Sequence, residues 1–235
     1  MSLYSAAIPV VLASTSPRRR QLLALMGVSF EAIASEVDET VRPDEVPGEL
    51  AKRLSLAKAK AVASIRRDVV VVAADTLVTL DGQVLGKPGS TSAAFEMLAR
   101  LRGREHIVHS GLSVVDGPRG RHCTQVVATT VLMRDYADDE IRRYVATGGP
   151  MDKAGAYAIQ DATLDPVAWL DGCYANVMGL PMCHLYRVLQ TYPVCGLVHP
   201  LRCCPLAIGS GCRWASDIMV MPLGAEWLRA DLDDV

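Results

Sequence analysis

Three short stretches carry the residue types needed to handle a polyanion. In VVVVAADT an apolar run closes on Asp75 and Thr76. A carboxylate at the end of a buried strand is poorly solvated and is rarely placed there for stability, and strand ends are where open α/β sheets bind their ligands. In STSPRR the hydroxyls of Ser14 and Ser16, the free amides of a turn, and Arg18 and Arg19 make a cradle for phosphate oxygens. In GQVLGKPGS, Lys87 is held between Gly86 and Pro88.

Two familiar alternatives fail on spacing. A phosphatase with paired aspartates needs a second acid two residues after Asp75, where Leu77 stands. A Walker phosphate loop needs one more residue after Gly82, a Ser or Thr in place of Pro88, and a helix where a hairpin is expected.

The elements that must position these groups follow from periodicity. Pro9–Ala13 reads as a strand, Ser16 as the N-cap and Pro17 as the first residue of a helix that stops at Gly27. Three arginines then stand in the first turn, where the helix dipole is already positive. Each such cation costs about 0.3–1 kcal/mol when exposed, so an anion is expected nearby. SFEAIAS reads as a second strand. Pro47 to about Ser64 reads as a long amphipathic helix, with Lys58 at the border of its apolar face, where it could simply extend to solvent; Lys52 and Lys60 fall elsewhere around it. A strand through Asp75 leads into a hairpin turning at Asp81-Gly82. A helix over Thr91–Leu101, paired strands over His106–Val115 and Thr124–Leu132, a helix near Ala137–Ala146 and a final helix near Asn176–Gln190 complete the pattern. Strands alternating with helices point to an α/β fold with a mixed sheet.

Composition bounds the rest. A chain of 235 residues, half of them hydrophobic, can bury a full core, and a net charge of −2 argues against a nucleic-acid binder. No apolar run reaches the roughly 18–20 residues of a membrane span, and the first residues lack the basic start and cleavage pattern of a leader, so a cytoplasmic protein is expected. Cys123, Cys173 and Cys183 lie in apolar context and read as reduced core thiols. After Tyr192 the chain turns rich in Pro, Gly and Cys and reads as a tail packed on the outside. Cys195, Cys203, Cys204, Cys212 and His199 are zinc-type atoms, but they contain no CxxC pair, which disfavours a zinc site.

In order along the chain, LASTSPRR, SEVDE, LAKAKA, VVAADT, LGKP, DKAGAYAIQ and DGCYANVMGLPM resemble the Maf family of septum-formation-inhibitor-like nucleotide pyrophosphatases, from about Val10 to Leu189. The resemblance implies a domain over residues 8–191, with 192–235 as an appended tail of unassigned role. It also implies an elongated mixed sheet flanked by helices, two lobes and a central nucleotide-binding cleft. The implied reaction splits a nucleoside triphosphate into monophosphate and pyrophosphate, with a divalent metal such as Mg or Mn. Asp75 would be the proton acceptor, Glu39 its acidic partner with both facing the metal, and Lys58 and Lys87 the phosphate-binding lysines. Glu36 and Asp38 are alternative acids, but Glu39 matches the motif best.

Arg18, Thr76 and Gln160 match the branch that takes dTTP and UTP, and Asp161 departs from the glycine that usually follows the glutamine. Ser14, Ser16 and Arg19 complete the expected substrate contacts. The partner implied is the triphosphate itself, with a homodimer possible. The resemblance leaves one alternative of another class, a nucleotide-binding interaction protein that affects septation without turnover. Two carboxylates facing a triphosphate would weaken a pure binder unless a metal stood between them.

Overall fold

The computed structural model describes residues 7–206, 212–220 and 228–229. Eight strands form one mixed sheet. β1 (Val10–Ala13) lies between β2 (Phe30–Ile33) and β3 (Val70–Leu80) and is parallel to both. β5 (Glu105–Asp116), β6 (Arg121–Met133) and β7 (Val167–Asp171) follow β3 in antiparallel succession. The short β4 (Gln83–Leu85) folds back on the end of β3, and β8 (Leu228–Arg229) pairs with the start of β6.

The first half of β3 is a continuous apolar run because helices cover both of its faces. Val70, Val72 and Ala74, with Leu12, face the core that contains Leu22 and Leu23 of α1 (Pro17–Leu25) and Leu185 of a late helix. Val71 and Ala73, with Val11 and Ala13, face Ala59, Val62 and Ala63 of α2 (Pro47–Ile65). The second half of β3 enters another core: Val78 and Leu80 pack with Leu98 of α3 (Thr91–Leu101) and Ile141 and Tyr144 of α4 (Asp138–Ala146).

The sheet opens where its partners change. β1 accompanies β3 only as far as the Leu12–Val72 pair, and β4 joins β3 only from Val78. Among the described residues, 73–77 therefore lack a strand neighbour on that edge, while β5 stays paired with them on the other edge. The result is two lobes on one antiparallel spine, with a cleft at the parallel-to-antiparallel switch, as expected for ligands of open α/β sheets. Asp75 and Thr76 lie in this gap.

A glycine sets how closely α2 approaches the spine. Gly111 is the cross-strand partner of Asp75, and a Cβ there would stand 2.0 Å from the carbonyl oxygen of Ala51. One turn on, Ser55 Oγ and Ser113 Oγ are 2.8 Å apart in the buried interface. Lys58 follows along the same side of the helix, seven residues after Ala51.

The sequence reading is corrected in five places. It ends a strand at Asp75, whereas β3 runs unbroken from Val70 to Leu80 and puts Asp75 in mid-strand. The final helix is two helices, α5 (Tyr174–Met178) and α6 (Met182–Leu189), because Gly179 adopts φ +112° and Pro181 cannot continue the hydrogen-bond ladder. β7 was not expected, since only five residues of mixed polarity mark it and it joins β6 across a register shift. The tail contains α7 (Arg213–Val220), whose apolar side meets Cys183. Nor does residues 193–206 simply lie outside the domain. Val198 N–H donates to Met26 O at 2.8 Å, Gly27 and Gly196 meet backbone to backbone, and Cys203 and Cys204 are buried in the first core.

Among the described residues no disulfide joins any of the seven cysteines, and burial pushes Cys173 and Cys183 up to about 12. No cluster of three His, Cys, Asp or Glu side chains is placed to hold a metal among the described residues. None of the described helices is long and apolar enough to cross a membrane.

The α2–β5 contact predicts that Gly111→Ala will be far more harmful than the same change in a strand with free space above it. We expect a loss of about 3 kcal/mol, or a fall of roughly 6–12 °C in melting temperature, because backbone must move rather than a side chain. A melting temperature within 2 °C of the parent, on the order of experimental scatter, would refute the close-approach argument.

Candidate active site

The cleft holds a cavity of about 550 Å³. Its walls come from loop 14–16 and the first turn of α1, segment 34–39, Lys58, Thr76 and Val78, Lys87, the 152–160 loop and residues 177–179. Five cations line it, Arg18, Arg19, Lys58, Lys87 and Lys153, against three carboxylates, Glu36, Glu39 and Asp152. The positive excess is local to a chain whose net charge is −2.

Lys58 is the link between the acids. Its Nζ lies 2.5 Å from Asp75 Oδ1 and 2.6 Å from Glu39 Oε1. Asp75 is nearly buried, whereas the Glu39 side chain is 62 % exposed, so the ammonium joins a carboxylate at the base of the cleft to one at its mouth. Asp75 does not itself line the cavity; it stands behind Lys58. Lys58 engages only Oδ1, and Oδ2 has no hydrogen-bond partner among the described residues.

Arg19 is fixed by three contacts. Its Nε donates to Gly179 O at 3.0 Å, Nη1 to Ser14 Oγ at 3.4 Å and Nη2 to Thr76 Oγ1 at 3.2 Å. Burial depresses its basicity, opposed chiefly by the nearby Asp75 charge. This side chain ties loop 14–16, β3 and the Gly179 turn together on the first-core side of the cleft as well as offering charge. Ser14 Oγ also accepts from Ser16 N–H at 3.2 Å, and Ser16 Oγ caps α1 by accepting from Arg19 N–H. Arg18 extends instead toward Asp152, with Nη1 3.5 Å from Oδ2.

Lys87 is exposed, lines the cavity and has no ion-pair partner among the described residues. Its turn is secured by Gly155 N–H, which donates to Gly86 O at 3.1 Å. Gln160 is exposed on the cavity wall. The unusual Asp161 does not need glycine's freedom, since its φ is not positive, and its Oδ1 caps the following turn by accepting from Thr163 and Leu164 N–H. Of the alternative acids, Glu36 reaches the cavity, while Asp38 binds its own loop through Thr40 N–H.

Two pairs escaped the sequence reading. Asp152 and Lys153 form an ion pair at 2.6 Å, and Lys153 also donates to Gly149 O. Burial acts to raise the Asp152 carboxyl, but Lys153 and Arg18 outweigh it and hold the group below its ordinary range. The adjacent charges ahead of AGAYAIQ were the available signal. The second pair is His106 and Tyr157, with Nε2 2.7 Å from the phenol oxygen behind the cavity wall. Burial pushes His106 down to about 4 and pushes Tyr157 up, so both are neutral. Nothing local in the sequence marks their union.

Comparison with known proteins assigns the chain to a family. Residues 9–192 match the family model described as Maf-like protein, and the chain belongs to that family. It is 47% identical over 181 residues to a dTTP/UTP pyrophosphatase of Syntrophus aciditrophicus (strain SB), covering 77% of this chain and 88% of that protein. It is 47% identical over 185 residues to one of Moorella thermoacetica, covering 79% and 95%. With one of Salinibacter ruber it shares 46% over 183 residues, covering 77% and 90%.

The buried histidine gives a pH prediction. His106 is neutral when folded but titrates near 6.5 when unfolded, so protons favour the unfolded chain. Its folded-state advantage is complete above that value and is lost as pH falls toward about 4; His184, also pushed down to about 4 by burial, acts in the same direction. Thermal midpoints recorded from pH 7 to 5 should fall steadily, and more shallowly in His106→Gln. Equal slopes in the two proteins would contradict the assignment.

Proposed function

We propose that this chain is a nucleoside triphosphate pyrophosphatase that converts dTTP and UTP to the monophosphate and pyrophosphate. The observation that carries this reading is Lys58 bridging Asp75 and Glu39 at the wall of a cation-lined cavity. Cations suit a triphosphate, but a simple anion binder has no use for two carboxylates beside them. Hydrolysis does, because it needs a proton acceptor for water.

In this mechanism the phosphate chain lies among Lys87, Lys58, Arg18 and the α1 N-terminus, where Ser14, Ser16 and turn amides present donors. As Lys58 turns from Asp75 to the phosphates it uncovers the carboxylate, and Asp75 accepts a proton from a water whose oxygen attacks phosphorus at the α–β anhydride. The bond to the bridging oxygen breaks and pyrophosphate leaves with its charge held by the lysines. Positioning and preorganised charge supply most of the acceleration. Arg19 serves by holding loop 14–16, Thr76 and the Gly179 turn together.

A divalent ion such as Mg or Mn belongs to this reading. The described residues offer no all-protein cage, but magnesium typically takes one or two carboxylates plus substrate phosphates and keeps several waters. Glu39 and Asp75, sharing one ammonium, are a donor set of that kind. When bound, the ion would neutralise charge on the phosphates and polarise the phosphoryl group.

The base is read by Thr76 and Gln160, with Arg18 at the same wall. A glutamine amide offers one donor face and one acceptor, which suits the edge of uracil or thymine. The names of the relatives support this preference. Residues 8–191 carry every group invoked, and the tail from 192 acts through packing.

Asp75→Asn keeps the shape but removes the proton acceptor, and kcat for UTP should fall by about 10²–10⁴-fold with the melting temperature preserved. Glu39→Gln should lose less and recover in part at raised magnesium. Pyrophosphate release measured across UTP, dTTP, GTP and ATP tests both parts. A near-normal rate in Asp75→Asn overturns the catalytic assignment, and equal kcat/KM for UTP and GTP in the parent overturns the substrate assignment.

A further inference from the structure

Behind Thr76 runs a buried chain of hydroxyls with a direction. Thr76 Oγ1 and Ser110 Oγ are 2.8 Å apart, and Ser110 Oγ lies 3.3 Å from Asn176 O. Ser110 and Asn176 are fully buried. The Asn176 carbonyl can only accept, and it already receives Gly179 N–H at 2.9 Å. On the other side, Arg19 Nη2 can only donate, and it donates to Thr76 Oγ1.

One arrangement gives every hydroxyl proton an acceptor within the protein: Ser110 donates to Asn176 O, and Thr76 donates to Ser110. A hydroxyl has one proton and two acceptor sites. The Thr76 proton is then committed to Ser110 and one acceptor site to Arg19. What remains for the cavity is a single acceptor site and no donor. The reverse order, with Ser110 donating to Thr76, sends the Thr76 proton where no described group receives it.

The surroundings say what this acceptor meets. Val78 shares a face of β3 with Thr76, and Tyr157, Ala158, Val177 and Met178 line the same cavity, so beside its cations the cavity offers apolar surface suited to a base. We infer that Ser110 is a positioning residue that holds Thr76 as a pure acceptor, so that the site takes bases presenting a ring N–H and rejects cytosine, whose N3 presents a lone pair. This rests on the proposed pyrimidine-triphosphate reading and refines it, since uracil and cytosine are alike in size.

The test compares kcat/KM for UTP and CTP, with GTP as reference, in the parent and in Ser110→Ala, Thr76→Val and the double variant. Ser110→Ala frees the Thr76 proton to turn toward the cavity. The UTP:CTP ratio should then drop by about five- to ten-fold, on the scale of one neutral hydrogen bond. In the Thr76→Val background the same serine change should leave the ratio unaltered. A merely structural serine would slow UTP and CTP alike and leave their ratio intact.

An unchanged ratio in Ser110→Ala, or a parent that takes CTP as well as UTP while refusing GTP, overturns this inference and leaves the pyrimidine reading standing. A parent indifferent to UTP and GTP overturns the reading itself. Should Ser110→Ala not fold, Ser110→Cys keeps a weaker acceptor and donor at the same place and should lower the ratio by a smaller factor; an unchanged ratio there overturns the inference equally.

Discussion

The close approach of α2 to β5 is the constraint on which the site depends. Gly111 lets the helix backbone come against the strand directly opposite Asp75, and Ser55 meets Ser113 along the same interface. Only at that separation does Lys58 deliver its ammonium to Asp75 while still reaching Glu39. The desolvation of Asp75 is offset by this ion pair, which is stable because both partners are held by elements already packed in the cores. A buried pair set on a loosely held helix would gain far less than desolvation costs.

The second organising feature is that β3 changes partners midway. Its N-terminal half belongs to a parallel sheet and its C-terminal half to a hairpin, while β5 holds it continuously from the other side. The gap thus created has a continuously paired floor and an open front, which places Thr76, Val78 and the α1 N-terminus around one cavity. Arg19 ties the gap across, from Ser14 through Thr76 to Gly179. Two of the arginines that looked anomalous in the first turn of α1 have separate uses: Arg19 ties loop 14–16 to β3 and the Gly179 turn, and Arg18 lies with Asp152 at the cavity wall.

Much of this was legible in the sequence, because the groups proposed to do chemistry sit at points where local rules are broken. An acid closing an apolar run, arginines in a first helical turn and a lysine between Gly and Pro each stand out against their surroundings, although the acid proves to lie in mid-strand rather than at a strand end. The α/β class and the hairpin at Asp81-Gly82 followed from periodicity and turn chemistry. What was not legible depends on long-range pairing. Gly111 reads as an ordinary strand glycine until α2 is laid over it, and Ser110 as an ordinary buried serine until Asn176 arrives from a distant helix. The split of the final helix was available in Gly179 and Pro181, but the apolar period on either side masked it. The tail's role in the first core could not be read from composition, since Val194, Leu197, Val198, Cys203, Cys204 and Leu206, which pack there, follow no helical or strand period.

The central claim is that this cavity directs water to the α–β anhydride of a pyrimidine nucleoside triphosphate. Phosphorus NMR of the products formed from UTP and magnesium tests it most directly. The account predicts UMP and pyrophosphate in equal amounts from the first turnovers, with neither UDP nor orthophosphate. Formation of UDP and orthophosphate, or intact UTP after prolonged incubation with active protein, would contradict it.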